Sequence, residues 1–125
     1  MARHIKSPTE ITAAGNIPKL IREFVGRVNT GDESVSIAHM KSPAGWSEPG
    51  QRPRFDEFTV VLKGTLMVET EDGNQIEVSS GEAVTVKGGE WVKYSSPGRD
   101  GAEYIAVCLP AFSPDAVNRD EPDES

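Results

Sequence analysis

Glu57-Phe58-Thr59-Val60-Val61-Leu62-Lys63-Gly64 and, further along, Gly81-Glu82-Ala83-Val84-Thr85-Val86-Lys87-Gly88-Gly89 are the stretches whose reading decides the fold. In an extended chain Phe58, Val60 and Leu62 share one face, and Val61 lies beside Thr59 on the other. Gly64 is expected to break this strand. Ala83 to Val86 reads as a second short strand that stops at Lys87-Gly88-Gly89. Between them, Thr65–Thr70 and Gln75–Val78 flank Glu71-Asp72-Gly73-Asn74, a strong hairpin signal.

The same pattern continues outward in both directions. Downstream, Trp91 to Ser95 is a strand, Ser96 to Gly101 a loop, and Ala102 to Leu109 the last convincing strand. Upstream, Val35, Ile37 and His39 alternate with Ser34, Ser36 and Ala38 in a strand that follows the turn Asn29-Thr30-Gly31-Asp32. A loop rich in Pro and Gly, Ser42 to Pro53, carries Trp46, Glu48, Gln51 and Arg52. Twelve Gly and nine Pro in 125 residues suit many turns between short strands, and no strong amphipathic helix competes with that reading. The expected organisation is an arm and first short elements over 1–33, a barrel over 34–112, and a mobile acidic tail over 113–125.

Composition narrows function by exclusion. Twenty acidic against 13 basic residues give a net charge of −7, which disfavours phosphate backbones and anionic lipid surfaces. No apolar run approaches a membrane span, the N-terminus lacks the apolar stretch of a secretory signal, and Cys108 has no partner for an internal disulfide. These features predict a cytoplasmic protein that binds neither nucleic acid nor membrane. Several strands are apolar on both faces, including Tyr104 to Leu109, where Ile105 and Val107 oppose Tyr104, Ala106 and Cys108. One face then packs inside the barrel and the other against a second copy, which predicts a homodimer; cover by loops or by the N-terminal arm is the alternative.

The two opening stretches resemble the paired motifs of the cupin superfamily: a Glu followed after six residues by Gly, then Gly, five residues, usually Pro, one residue, and Gly. The resemblance covers roughly residues 34–109 and implies an all-β, cupin-type double-stranded β-helix, or jelly-roll, barrel. It also implies a metal site formed by a His-x-His pair, the Glu and a later His. Here the pair falls on Gln51 and Pro53, or on Gly50 and Arg52 if the gap is one longer, and the later His falls on Val92. Only Glu57 survives of the four. Pro and Val offer no donor and Gln is a poor substitute for imidazole, so the family's metal-dependent activities are not carried over. No cofactor is predicted. A divalent metal, if bound, would need an atypical set such as Glu57, His39 and Gln51.

If Glu57 points inward, as the resemblance implies, Thr59 and Val61 share its face, and Val92 and Tyr94 line another wall. Glu57 is the candidate catalytic group. Desolvation in an apolar barrel would raise its pKa and suit it to acid–base work, whereas on the rim it would pair with Arg52 or Arg54. His39, Trp46, Gln51 and Tyr94 are the candidate ligand-binding residues. The functional expectation is a barrel that binds a small organic molecule, with lyase or isomerase chemistry at Glu57. The alternatives are a non-catalytic binding or sensing module and a metal-dependent cupin with the atypical set.

Overall fold

The computed structural model describes residues 1–13 and 15–120. Nine strands precede one short helix: β1 (Thr9–Thr12), β2 (Leu20–Val25), β3 (Ser36–Ser42), β4 (Trp46–Ser47), β5 (Asp56–Thr70), β6 (Gln75–Ser79), β7 (Ala83–Val86), β8 (Val92–Ser96), β9 (Ala102–Leu109) and α1 (Pro114–Val117). All the pairings are antiparallel, and the sheet curls into the expected all-β jelly-roll barrel.

β5 holds the two layers together. Its first half pairs with β7 and β9 and its second half with β6 and β8. The corner between them is Gly64, which does not end the strand as its sequence suggested: β5 runs through it for 15 residues. Gly64 has φ +71, and a Cβ there would meet the Gly101 carbonyl oxygen at 2.1 Å. Only glycine tolerates that backbone and that approach, so the strand bends at Gly64 and changes partners. The pairing also shifts register between Val61 and Lys63, which adds to the local bend.

A buried cluster that includes Trp46, Val61, Leu66, Val68, Val78 and Val92 fills the barrel on the side of β6 and β8. Full burial of Leu66 or Val68 contributes about 2 kcal/mol each. The two opening motifs of the sequence meet in space: Glu57 pairs with Val86, Gly88 N donates to Asp56 Oδ1 (2.8 Å), and Gly89 N donates to the Pro53 carbonyl (2.7 Å).

Both flanks join the barrel. β1 and β2 extend the sheet beyond β3, and the buried Glu23 accepts from Val28 N and Asn29 N to fix the turn after β2. At the other end, the acidic composition of 113–125 suggested a mobile tail. Residues 113–120 are docked instead, and 121–125 lie outside the described residues. Arg54 N donates to the Ala116 carbonyl, Arg52 N to the Asn118 carbonyl and Asp120 N to the Gly50 carbonyl. Val117 is buried beside Phe55 and Cys108, and Phe112 meets Phe55 edge-on at 5.8 Å. A few apolar residues, well placed, outweigh the segment's charge.

Candidate functional site

Between the packed cluster and these flanks lies a cavity of about 60 Å³, room for several waters or a small organic molecule. Its apolar wall includes Ile11, Ile21, Ala38, Met40, Phe55 and Ala106. The polar side chains lining it include Lys19, Glu23, Glu48, Gln51, Glu57, Thr59, Tyr94, Tyr104 and Arg119, with Ser36 and Cys108 beside them. A mainly apolar enclosure with a few converging polar groups is the usual make-up of a small-molecule site.

Glu57 reaches the cavity because β5 is held in register by β7 on one side and β9 on the other. A one-residue slip would turn it to the outer face. Its carboxylate contacts two buried side chains: Tyr94 OH donates to Oε1 at 2.7 Å, and Cys108 Sγ lies 3.7 Å from Oε2. Burial pushes the Glu57 pKa up; the Tyr94 hydrogen bond and the Lys19 charge oppose this while Glu48 adds to it, and the net direction is up. Burial and the neighbouring Glu57 carboxylate hold the Tyr94 phenol well above its ordinary value, and burial pushes the Cys108 thiol up as well. Arg52 is not Glu57's partner. It sits outside on Glu71, at 2.6 Å and 3.2 Å, and the Arg52 hydrogen bond lowers the Glu71 pKa.

The other candidates divide. Tyr94 and Gln51 line the cavity with Glu57. Gln51 is buried, bridges to Val92 and to Arg119 through its backbone, and leaves Oε1 without a partner. Trp46 is a fully buried core residue that forms a floor under Lys19 rather than a lid, its ring centroid 4.2 Å from Nζ. His39 does not reach the cavity. Ser36, Ala38 and Met40 of β3 face inward, so His39 lies on the outer face, where Nε2 meets Glu103 Oε1 at 2.8 Å. The alternation in β3 was legible, but the small residues rather than the large ones proved to be the inner set. A set of Glu57, His39 and Gln51 therefore does not converge on one point. At the positions corresponding to the family's histidines, Gln51, Pro53 and Val92 supply no imidazole, and Val92 and Pro53 are packed in the interior. These residues do not fit the family's metal centre. Among the described residues no group of three or more His, Cys, Asp or Glu side chains is arranged to hold a metal ion.

Three residues of the site carried no sequence signal. Lys19 precedes β2, Glu48 lies in the loop before β5, and Arg119 follows α1. Lys19 Nζ stands 3.9 Å from Glu48 Oε2, 3.4 Å from Tyr104 OH and 5.8 Å from the Tyr104 ring centroid. Arg119 Nη2 approaches the same Glu48 oxygen at 3.7 Å. Burial works to lower the Lys19 pKa, but Glu48, Tyr104 and Glu57 together outweigh it and the net direction is up, so the ammonium stays charged. Tyr104, raised mainly by burial, shares a 2.8 Å hydrogen bond with Ser42 Oγ.

A family model described as "Cupin domain" matches residues 38–108. A curated relative, the Myxococcus xanthus protein named endoribonuclease YbeY, is 43% identical over 104 residues, which are 83% of this chain and 35% of that protein. The chain thus spans about a third of that relative's length. Among solved structures, the polyketide cyclase RemF from Streptomyces resistomycificus superimposes with a TM-score of 0.76 at 17% identity, over 99% of this chain and 88% of that one. A substituted Bacillus subtilis oxalate decarboxylase gives 0.73 at 18% identity, over 92% and 31%. The Clostridium difficile EutQ protein gives 0.63 at 22% identity, over 75% and 64%. At these identities the structures share the fold.

Proposed function

The chain belongs to the cupin domain family, and from that premise we propose that it binds a small organic molecule inside its barrel and works on it with Glu57 as the acid–base group. The observation that carries the reading is Glu57 at the cavity wall with Tyr94 donating to it at 2.7 Å and, among the described residues, no cation within hydrogen-bond reach. A carboxyl group whose burial favours its neutral form is better suited than a solvated one to give and take a proton. Tyr94 orients the carboxyl and keeps its own proton. Lyase or isomerase chemistry, in which a proton leaves one carbon and returns to another or a bond breaks beside it, suits this pair. The reaction runs on these side chains, without a resident metal; elemental analysis of untagged protein should find far less than one transition metal per chain.

The test follows proton exchange from small carbonyl compounds in D₂O by NMR. Wild type should accelerate exchange for the compounds that perturb the Tyr94 and Ala106 amides, and Glu57→Gln should bind them without exchange. Binding with no exchange by wild type, and a Glu57 that titrates as a free glutamate, would favour the non-catalytic module. That second reading draws on one observation: among the described residues, Glu57 has only Tyr94 and Cys108 as side-chain hydrogen-bond partners, so no second carboxylate or imidazole backs it.

The name of the Myxococcus relative speaks for that whole protein, and a net charge of −7 argues against a phosphate-backbone substrate here. Among the described residues no helix is long and apolar enough to cross a membrane. A cytoplasmic setting accords with the lone, buried Cys108. The outer face of β5 exposes Phe58 (39%), Val60 (45%) and Leu62 (43%), opposite the outward Ile105 and Val107 of β9. This face supports a homodimer, to be checked by sedimentation equilibrium at micromolar concentration, where Val60→Glu should shift the mass toward monomer.

A further inference from the structure

The site's two cations are held in a manner that leaves their donors unspent. Lys19 has a side chain only 7% exposed and Glu48 only 4%, yet they stand 3.9 Å apart, beyond hydrogen-bond range. The ammonium has three N–H donors, and among the described residues its single hydrogen-bond contact is the long one, 3.4 Å, to Tyr104 OH. Arg119, with a side chain 28% exposed, approaches Glu48 at 3.7 Å, again too far for a hydrogen bond, and its buried Nε has no partner among the described residues. Two cations thus share one carboxylate that neither bonds closely. The other two cavity carboxyls are engaged elsewhere: Glu57 is turned to Tyr94 and Cys108, and Glu23 accepts from Val28 N and Asn29 N. Beside Arg119, across a backbone bridge, the 4% exposed Gln51 leaves an acceptor oxygen empty.

A buried ammonium and buried polar atoms are costly unless paired, so Lys19, Arg119 Nε and Gln51 Oε1 together mark a place for an anion. We propose that the barrel's ligand is a small organic acid, its carboxylate seated against Lys19 and Arg119 and a hydroxyl or N–H of the same molecule donating to Gln51. This deepens the small-molecule reading above and rests on it. Trp46 holds the ammonium by its ring face and Tyr104 meets it only through its hydroxyl, which leaves N–H groups free to turn toward a ligand. Both cations come from outside residues 38–108, the part matched by the family model: Lys19 from the N-terminal flank and Arg119 from the C-terminal one. The anion preference is therefore a property of this chain's flanks and not of the shared barrel.

The experiment compares acetate, glycolate and pyruvate with acetamide and glycolamide by NMR titration of the full-length, ¹⁵N-labelled chain at constant ionic strength. Carboxylates should bind about tenfold or more tighter than the matching amides, glycolate tighter than acetate, with shifts centred on Lys19, Gln51 and Arg119. Lys19→Met and, separately, Arg119→Met should remove the preference, each checked for native amide dispersion. The carboxylate–amide contrast in wild type stands as a test even if a variant fails to fold. Equal or tighter binding of the amides in the cavity would overturn the anion inference and leave the small-molecule reading intact. Binding of neither series would overturn both.

Discussion

The matched barrel, residues 38–108, and the flanks that close it are built on different physical terms. The barrel body is held by side chains sunk out of water, Leu66, Val68, Val61 and Val92 among them, and by a strand that serves two sheets through one glycine. The flanks are held at the sheet's margin: β2 pairs with β3, the Glu23 turn follows it, and the C-terminal segment rests on backbone hydrogen bonds to 50–54, Val117 and the Phe112–Phe55 contact. The body supplies part of the cavity's walls and its acid, Glu57, and the flanks add Ile11, Ile21 and Phe112 to the walls. The flanks supply its cations, Lys19 and Arg119. A fold can thus keep its central frame while its binding chemistry is set by the segments that close it.

The sharpest way to break this contrast is at Gly64. Gly64→Val demands a Cβ 2.1 Å from a backbone oxygen at φ +71, and should cost 4 kcal/mol or more, at roughly the scale of a whole domain's stability. A soluble, cooperative Gly64→Val protein in urea denaturation would show that β5 can turn its corner another way.

A smaller effect is expected at Val117. Val117→Ala should cost about 1–2 kcal/mol and, if the flank opens as its own unit, should speed hydrogen exchange at residues 112–120 well before the β5 and β9 amides respond. Uniform acceleration along the chain would instead make flank and body one cooperative unit.

Glu57→Gln tests the cavity from the body's side through pH. The folded pKa of Glu57 is raised, so the stability from its protonated form is present in full below the ordinary glutamate pKa of about 4.3 and is lost as pH rises through the folded value. The variant lacks that loss. Its stability relative to wild type should grow as pH rises above the ordinary glutamate value, measured as the difference in urea midpoints. A difference that stays flat with pH would mean that Glu57 is well solvated.

The least effect is expected outside the frame and the site. Arg52→Ala removes an exposed ion pair with Glu71 and should leave the thermal midpoint where it was. A clear drop would place the 50–54 loop, and with it the docking of the C-terminal flank, among the stabilising parts.

Much of the barrel was readable in the chain. Ala83–Val86 and Ala102–Leu109 fall where alternation and turn residues put them, and the Asp72-Gly73 hairpin closes as expected, with Glu69 opposite Gln75. Of the site, Glu57, Tyr94 and Gln51 came from strand register and resemblance. His39 was misplaced because a period of two defines two faces without saying which is inner. In β3 the crowded interior takes Ser36, Ala38 and Met40 and leaves Ile37 and His39 outside. The acidic composition of the last residues masked the docking of Phe112, Val117 and Arg119, since a charge count does not register where a single valine lands.

The sequence by itself determined the local terms: where strands run, where turns fall, and which position carries the acid that survives from the motif. These follow from side-chain period and backbone freedom within a few residues. Only the tertiary structure decided that Lys19 and Arg119, a hundred positions apart, meet over Glu48 in one cavity. It also decided that Gly64 bends a strand rather than ending it, because that depends on Gly101 approaching from another strand. Isolated charges in loops have no periodicity to betray them. Their surroundings are set by closure of the barrel, where distant segments are brought together and water is removed.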